Sequence, residues 1–388
     1  MRGLTAIVVV TVACLGVTVQ GQRQVFPGSG ELPFSAATKA DGLIYVAGTL
    51  AQQGDIRAQT KSVLDQMSQV LTKAGSSLAN VAAVHVYIKS AADFAAMNEV
   101  YRTYWPKDPP VRTTIVSDFV RPGALVEMSM VAVPNGGDRQ VIHPASWTKS
   151  PNPYSYGIKT GSTLFLAGLV SRNGKDNSVV EGDLSTQAKT VLDNAREILT
   201  AAGMTFDNVV SSRVYITDGT KFQEMNKVYT TYFTKEPPAR ATVIAPLMGP
   251  QYQIEITLTA SSLPKQVFTT PAADGSPGKP SAILSSAVKV GNRLYVAGLL
   301  GNTKENLGNA EAQTKELMAR VERTLKVAGY GWNDVVDGIV YITDLKYYDP
   351  MNAGYRAFIP KDFPARATVK AGLVGADGLV EIMFVASK

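Results

Sequence analysis

Arginine and glutamate recur at one fixed separation, fifteen positions, in three places along this 388-residue chain. The pairs are Arg112 with Glu127, Arg240 with Glu255, and Arg366 with Glu381. A guanidinium presents a planar pair of N–H donors that fits a carboxylate. A glutamate can orient or deprotonate a water molecule. Each pair could therefore hold a small acid beside a water that attacks it.

Two strand-like segments carry each pair, and the first follows a proline-containing turn. In the second copy, the alternation of Arg240 with Thr242 and of Glu255 with Thr257 predicts that these polar side chains share one sheet face. One copy alone is more typical of a solvated sheet face with a cross-strand ion pair than of a ligand site. Three copies at identical spacing favour a ligand site, because a buried charge at a junction requires a partner.

The pairs belong to a repeat that covers almost the whole chain. The segments "GLIYVAGTL", "STLFLAGLV" and "NRLYVAGLL" align, and so do "AQTKSVLDQMSQVLTKAG", "TQAKTVLDNAREILTAAG" and "AQTKELMARVERTLKVAG". We predict domains over residues 22–135, 140–262 and 266–388, each of ordinary small-domain size. Residues 263–281, "LPKQVFTTPAADGSPGKPS", are predicted to be a flexible link.

Each repeat predicts the element order β, β, α, β, α, β, β and therefore an α+β fold. Ala188, Val191, Leu192 and Ala195 have helical spacing, and Gly203 ends that helix. Strands such as "LYVAGLL" are too apolar to face water on either side, so the sheet face without helices must pack on another repeat. We expect a pseudo-trimer within one chain, with sheets inside and helices outside.

The composition disfavours thiolate catalysis, a metal site and nucleic-acid binding. The chain is 45% hydrophobic and 18% charged, which is typical of a globular protein. Cys14 is the only cysteine, and His85 and His143 are the only histidines, which disfavours thiolate catalysis and a metal site. The formal charge of +6 is spread without a Lys/Arg block, which disfavours nucleic acid as a partner.

The first residues, "MRGLTAIVVVTVACLGVTVQGQ", have the pattern of a secretory signal. We predict a signal peptide over residues 1–21 and a periplasmic or secreted protein without stable membrane association once the signal is cleaved. An uncleaved N-terminal anchor is the alternative, because the apolar run approaches a membrane-spanning length.

The "AG" strands, the "TQAKTVLDN" helix, the "VYITD" strands and the "PARA" turns together resemble the RidA/YjgF family of reactive-intermediate deaminases, in three tandem copies. The resemblance implies chorismate-mutase-like domains, sites between the three units, and no metal or organic cofactor. It also implies that the arginines bind a substrate carboxylate and that the glutamates position water. The family uses a tyrosine fourteen residues before the strand glycine, which gives Tyr154, whereas Phe34 and Leu284 stand at the equivalent positions.

The residue two positions after each arginine is also predicted to bind substrate: Thr114, Thr242 and Thr368. For Tyr154, an aromatic packing role is the alternative to a catalytic one. The cleft with Tyr154 is the best candidate for turnover, whereas the clefts with Phe34 and Leu284 would only bind ligand or would accept bulkier, more apolar ligands.

The sequence thus predicts an exported, monomeric protein that hydrolyses 2-imino or enamine acids to 2-keto acids and ammonia. Its partners would be these small acids and not nucleic acid. The alternative is a non-catalytic protein of the same fold that binds small carboxylates or acts as a scaffold. RNA cleavage is disfavoured by export and by the absence of basic runs.

Overall fold

The computed structural model describes residues 23–28 and 30–388. The predicted signal peptide lies outside the described residues. No helix within those ranges combines the length and the apolar content needed to cross a bilayer.

The chain folds into three similar α+β units. The first contains β1 Gln24–Phe26, β2 Ala37–Ala40, β3 Leu43–Leu50, α1 Ile56–Lys73, β4 Val81–Ile88, α2 Phe94–Tyr104, β5 Val111–Val116 and β6 Val126–Ala132. The second contains β7 Gln140–Ile142, β8 Gly157–Thr160, β9 Thr163–Leu166, α3 Leu184–Ala201, β10 Val209–Ile216, α4 Phe222–Tyr232, β11 Ala239–Ile244 and β12 Ile254–Ser261. The third contains β13 Lys265–Phe268, β14 Ala287–Val290, β15 Arg293–Leu300, α5 Ala310–Val327, β16 Val335–Ile342, α6 Tyr348–Arg356, β17 Ala365–Lys370, β18 Gly372–Leu373 and β19 Val380–Ser387.

Each unit has the predicted ββαβαββ order with one short strand added in front, and the third unit also contains β18, which pairs with β11 of the second unit. In the third unit this strand, β13, pairs antiparallel with β14. The prediction that 263–281 is a flexible link is therefore wrong for Lys265–Phe268, because their backbone groups complete the sheet edge.

The long helices begin at capping side chains and bury one apolar stripe. Asp55, Asp183 and Asn309 each accept a hydrogen bond from the backbone N–H three residues later. The helix α3 buries the residues whose spacing predicted it, and these pack on one face of the second sheet.

The strand order separates the arginine from the glutamate of the same unit. In the second sheet, β10 pairs in parallel with β11 on one side and antiparallel with β12 on the other. Arg240 is opposite Ser212, whereas Glu255 is opposite Tyr215. Because Ser212 and Tyr215 are an odd number of residues apart, Arg240 and Glu255 lie on opposite sheet faces. The prediction of one shared polar face is therefore wrong.

The sheet faces without helices pack on one another, as predicted. One buried cluster draws members from all three units, including Tyr87, Ile115, Tyr215, Val243 and Tyr341. A matching joint recurs between neighbours, in which a serine N–H donates to a proline carbonyl of the turn before the arginine strand. The joints are Ser35 with Pro364 at 3.0 Å, Ser155 with Pro110 at 3.2 Å, and Ser285 with Pro238 at 3.1 Å. These joints link each unit to both others.

Candidate active site

The arginine of one unit meets the glutamate of another unit, not its own. In the first–third cleft, Arg366 and Thr368 of the third unit face Phe34 and Glu127 of the first. This cleft has a volume of about 420 Å³.

The first–second cleft repeats the arrangement with Arg112 and Thr114 from the first unit and Tyr154 and Glu255 from the second. Its volume is about 130 Å³. At the second–third junction, the positive charge of Arg240 acts to lower the pKa of Glu381. A Cβ atom placed on Gly298 would contact both Glu381 and Ala241, so these two units also meet there. The three predicted arginines and three predicted glutamates thus form three junctions of the same kind.

The glycine of each "AG" strand makes room for the glutamate. A Cβ atom placed on Gly48, Gly168 or Gly298 would lie 2.0 Å from the Oε1 atom of the glutamate in the same unit. In the sequence, these glycines were used only to locate Tyr154, Phe34 and Leu284, which stand fourteen residues before them. Their recurrence in all three strands is the pattern that could have indicated a close approach.

The arginines are buried although each carries a full charge. Arg112, Arg240 and Arg366 have exposed fractions of 3%, 2% and 1%. Their guanidinium carbons lie 4.8, 4.5 and 4.8 Å from the ring centres of Tyr101, Tyr229 and Tyr355, respectively. These tyrosines are fully buried, and each ring stabilises a guanidinium through a cation–π contact.

An asparagine on the second helix orients two of the arginines. Arg240 Nη2 donates to Asn226 Oδ1 at 2.9 Å, and Arg366 Nη2 donates to Asn352 Oδ1 at 2.8 Å. In the first unit, Asn98 instead donates to Asn152 Oδ1 at 3.3 Å. Sequence reasoning missed these residues, although the "MN" dipeptide recurs in every repeat.

Several buried N–H groups of the arginines have no acceptor among the described residues. They are Arg112 Nη1, Arg240 Nε and Nη1, and Arg366 Nε. Within the described ranges, no ion pair within 4.0 Å joins any of these arginines to a glutamate. Burial lowers the pKa of all three guanidinium groups, which shows the cost of holding an uncompensated charge there. An acid bound at a cleft would supply the missing acceptors.

The glutamates are buried carboxyl groups that favour the protonated form. Burial raises the pKa of Glu127, Glu255 and Glu381 to about 8, and the neighbouring arginines oppose this effect only in part. Backbone N–H groups of Thr114 and Thr368 also oppose it at two of the sites. The Thr114 N–H donates to Glu255 Oε1 at 3.3 Å. At neutral pH such a carboxyl can donate a proton and can then accept one back.

Tyr154 and Phe34 occupy equivalent places over the arginines. The Arg112 guanidinium carbon lies 5.9 Å from the Tyr154 ring centre, and that of Arg366 lies 5.5 Å from the Phe34 ring centre. Leu284 packs on the cluster that includes Val210, between the second and third units. Burial raises the pKa of Tyr154, so its phenol keeps its proton. Its catalytic role stays a prediction.

The first residue of each second helix also reaches the site. Phe94 lies 5.4 Å from the Arg112 guanidinium carbon, and Phe222 lies 5.7 Å from that of Arg240. Tyr348 takes this place in the first–third cleft, beside Arg366. This phenol was not predicted from the sequence, because Tyr348 lies on a different element from the position of Tyr154.

The described part of the chain has no group of three or more His, Cys, Asp or Glu side chains placed to hold a metal ion. The expectation of a cofactor-free site stays a prediction. The polar groups that line the clefts are guanidinium, ammonium, carboxyl, phenol, hydroxyl and amide groups.

Comparison with known proteins links the repeat to one family. The family model described as Endoribonuclease L-PSP matches residues 29–134, 146–262 and 276–388. A RutC family protein of Sulfurisphaera tokodaii is 38% identical over 113 residues, which are 29% of this chain and 90% of that protein. The 3-aminoacrylate deaminase RutC of Acinetobacter baylyi is 38% identical over 108 residues, which are 26% of this chain and 86% of that protein.

Solved structures of single-unit proteins match as well. A Rid family protein of Yersinia pestis is 29% identical, with a TM-score of 0.31, and the match covers 32% of this chain and 99% of that chain.

Proposed function

This chain belongs to the endoribonuclease L-PSP family, the RidA/YjgF proteins, and we propose that it hydrolyses small 2-imino or enamine acids to 2-keto acids and ammonia. The family relationship supports a deaminase-like or an endoribonuclease-like function. One observation favours the deaminase-like function. Each buried arginine has N–H donors without a protein acceptor, at a junction that also holds a buried glutamate. Clefts of about 130 and 420 Å³ suit a small acid better than a polynucleotide.

The arginine would fix the substrate. Its free N–H groups bind the carboxylate next to the imine carbon, while the tyrosine beneath and the asparagine beside it limit guanidinium movement. An asparagine bond of this kind is present at Arg240 and Arg366. The bound anion compensates the buried positive charge, which otherwise has no partner.

The glutamate would transfer the protons. Its protonated carboxyl gives a proton to the imine nitrogen, or to the terminal carbon of an enamine, and forms an iminium ion. The resulting carboxylate then accepts a proton from the water that attacks the iminium carbon. The carboxyl group then protonates the nitrogen of the amino alcohol and takes the hydroxyl proton as the C–N bond breaks, so one imino acid and one water give one keto acid and one ammonia.

A coupled assay tests this reaction. An amino-acid oxidase generates the imino acid in situ, and a nucleophilic trapping reagent reports how much survives. The mature chain is expected to reduce the trapped imine, and the variant R112A/R240A/R366A is expected to lose this effect. An imine lifetime that is unchanged by the wild-type chain, across several amino acids, would refute the proposed hydrolysis.

A non-catalytic carboxylate-binding protein is the second candidate. It is favoured by the absence of a phenol at Phe34 and Leu284, the positions equivalent to Tyr154. The clefts would then hold keto acids through the same arginines without turnover. Measurable binding of pyruvate, combined with no effect on imine lifetime, would identify this function.

We further propose that the mature protein is exported and works as a monomeric pseudo-trimer. The joints between all three pairs of units support closure within one chain. Light scattering is expected to give the mass of one chain, and a mass of three chains would contradict the proposal. Fractionation of cells that express the full chain would test export.

A further inference from the structure

We propose that the first–third cleft is selective for acids that carry a second carboxylate. This inference rests on the proposed function, because it names the substrate class of one of the three clefts. The charged side chains that line this cleft are Lys73, Arg121, Glu127 and Arg366. Arg366 would bind the carboxylate beside the imine, and Lys73 and Arg121 would bind the second one.

Lys73 and Arg121 have side chains that are free to bind a ligand. Both are exposed, and neither makes a side-chain hydrogen bond or ion pair with another described residue. The first–second cleft also has an additional arginine, Arg172, but two of its three side-chain nitrogen atoms already donate to protein acceptors. Arg172 Nε donates to the Tyr252 hydroxyl at 2.6 Å, and Nη1 donates to the Asn177 carbonyl oxygen at 2.5 Å.

The other repeats lack cations at the matching positions. Arg121 stands six residues before Glu127, and counting back from Glu255 and Glu381 gives Gly249 and Gly375. Lys73 stands two residues before the glycine after the first long helix, and the equivalents are Ala201 and Val327. At these two positions only the first unit carries cations, and both of them line the first–third cleft beside the buried Arg366.

The dimensions and charge of this cleft suit a longer dianion. Its volume of about 420 Å³ is roughly three times the 130 Å³ of the first–second cleft. Burial keeps Glu127 mainly protonated at neutral pH, so three cations face the ligand without a fixed negative charge among the lining side chains. Tyr348 adds a phenol hydroxyl where Phe94 and Phe222 are apolar. A hydrocarbon ligand would leave these groups unpaired, which lowers its affinity relative to a polar one.

Calorimetry with product-type keto acids tests the selectivity without requiring turnover. The mature chain would be titrated with 2-oxoglutarate, which has two carboxylates, and with 2-oxobutyrate, which has one. The variant K73A/R121G reproduces the side chains of the second unit at both positions. It is expected to weaken 2-oxoglutarate binding about tenfold or more and to weaken 2-oxobutyrate binding much less. R366A is expected to abolish the strong 2-oxoglutarate site.

The control K175A/K279A removes two exposed lysine charges that lie outside both clefts, and we expect unchanged binding of both ligands. Equal weakening of both acids by K73A/R121G, retention of 2-oxoglutarate binding in R366A, or no 2-oxoglutarate binding at all would overturn the inference. Selective binding without any imine hydrolysis would refute only the proposed reaction. Hydrolysis of monoacids without this selectivity would refute only the inference.

Discussion

At each junction, the arginine and the glutamate are proposed to act differently, because the guanidinium has no ion-pair partner and the carboxyl group is protonated. The arginine has N–H groups without an acceptor, and no described carboxylate lies within ion-pair distance of it. The glutamate is kept neutral mainly by burial. Two groups that could neutralise each other are instead both available to a ligand.

The proton on the glutamate makes the reaction sensitive to alkaline pH. With a glutamate pKa of about 8, the acid that starts the reaction is present below that pH and is lost above it. We expect kcat/KM for imine hydrolysis to fall about tenfold per pH unit above pH 8. The variant E127Q/E255Q/E381Q should lose activity at every pH. A rate that rises through pH 8 would contradict proton donation by these residues.

The asparagine contacts predict unequal sensitivity among the arginines. In an R112A/R240A background, in which only Arg366 remains, N352A should weaken keto-acid binding about tenfold, because it removes a hydrogen bond to a charged group. In an R240A/R366A background, N98A should have a smaller effect, since Asn98 does not bind Arg112. Calorimetry would measure both affinities. Equal effects would argue against an orienting role for Asn352.

At the scale of elements, an edge strand brings the two groups together. Each arginine strand, β5, β11 or β17, lies at the edge of its own unit, and its proline turn is joined to a neighbouring unit. The glutamate strand is separated from it by one strand, and its carboxyl faces the interior between units. The arginine therefore reaches the neighbour's glutamate more readily than its own.

The strand glycine should be essential for this geometry. A Cβ atom at Gly168 would lie 2.0 Å from Glu255 Oε1 and 3.0 Å from the Thr113 Cα atom, so G168A must displace the carboxyl, the neighbouring strand or both. We expect loss of ligand binding at the first–second cleft, measured in an R240A/R366A background, with a largely retained circular dichroism spectrum. G331A is the control, because no atom lies within 4 Å of the added methyl group. Unchanged binding in G168A would show that the carboxyl position is not critical.

At the scale of the whole molecule, the fusion of three units in one chain allows the residues of the three clefts to differ. A trimer of identical chains would repeat each residue at every junction. Here the equivalent positions carry Tyr154, Phe34 or Leu284, and Arg121, Gly249 or Gly375. The three clefts can therefore differ in substrate while they share one interior core.

Three buried glutamates also link stability to pH. Their pKa values are raised from about 4.5 to about 8 on folding, so the folded state retains protons that the unfolded state releases. The free energy of unfolding should therefore fall as pH rises through this window. Asp337, with a pKa raised by burial to about 6, adds to the fall only at the lower end.

Urea unfolding between pH 7 and pH 8 isolates the glutamates, because Asp337 is largely ionised there. The pKa of His85 is lowered well below 6.5 by burial, so its contribution is confined to lower pH. We expect E127Q/E255Q/E381Q to show a flatter dependence on pH than the wild-type chain. An equal slope in both proteins would contradict the raised pKa values.

The sequence by itself determined the three-fold repeat, the α+β element order and the family, because periodicity, glycine stops and the repeated arginine and glutamate are local patterns. It also identified the residues that now lie at the junctions. The added first strands, including Lys265–Phe268, were missed because a four-residue edge strand carries little periodic information.

Only the tertiary structure decided which arginine meets which glutamate, since strand order is set by non-local pairing and not by spacing along the chain. It separated Arg240 from Glu255 by one strand and one sheet face, and it placed Arg366 of the last unit beside Glu127 of the first. It also brought Lys73, Arg121 and Tyr348 to a single cleft, which no pattern within one repeat could indicate.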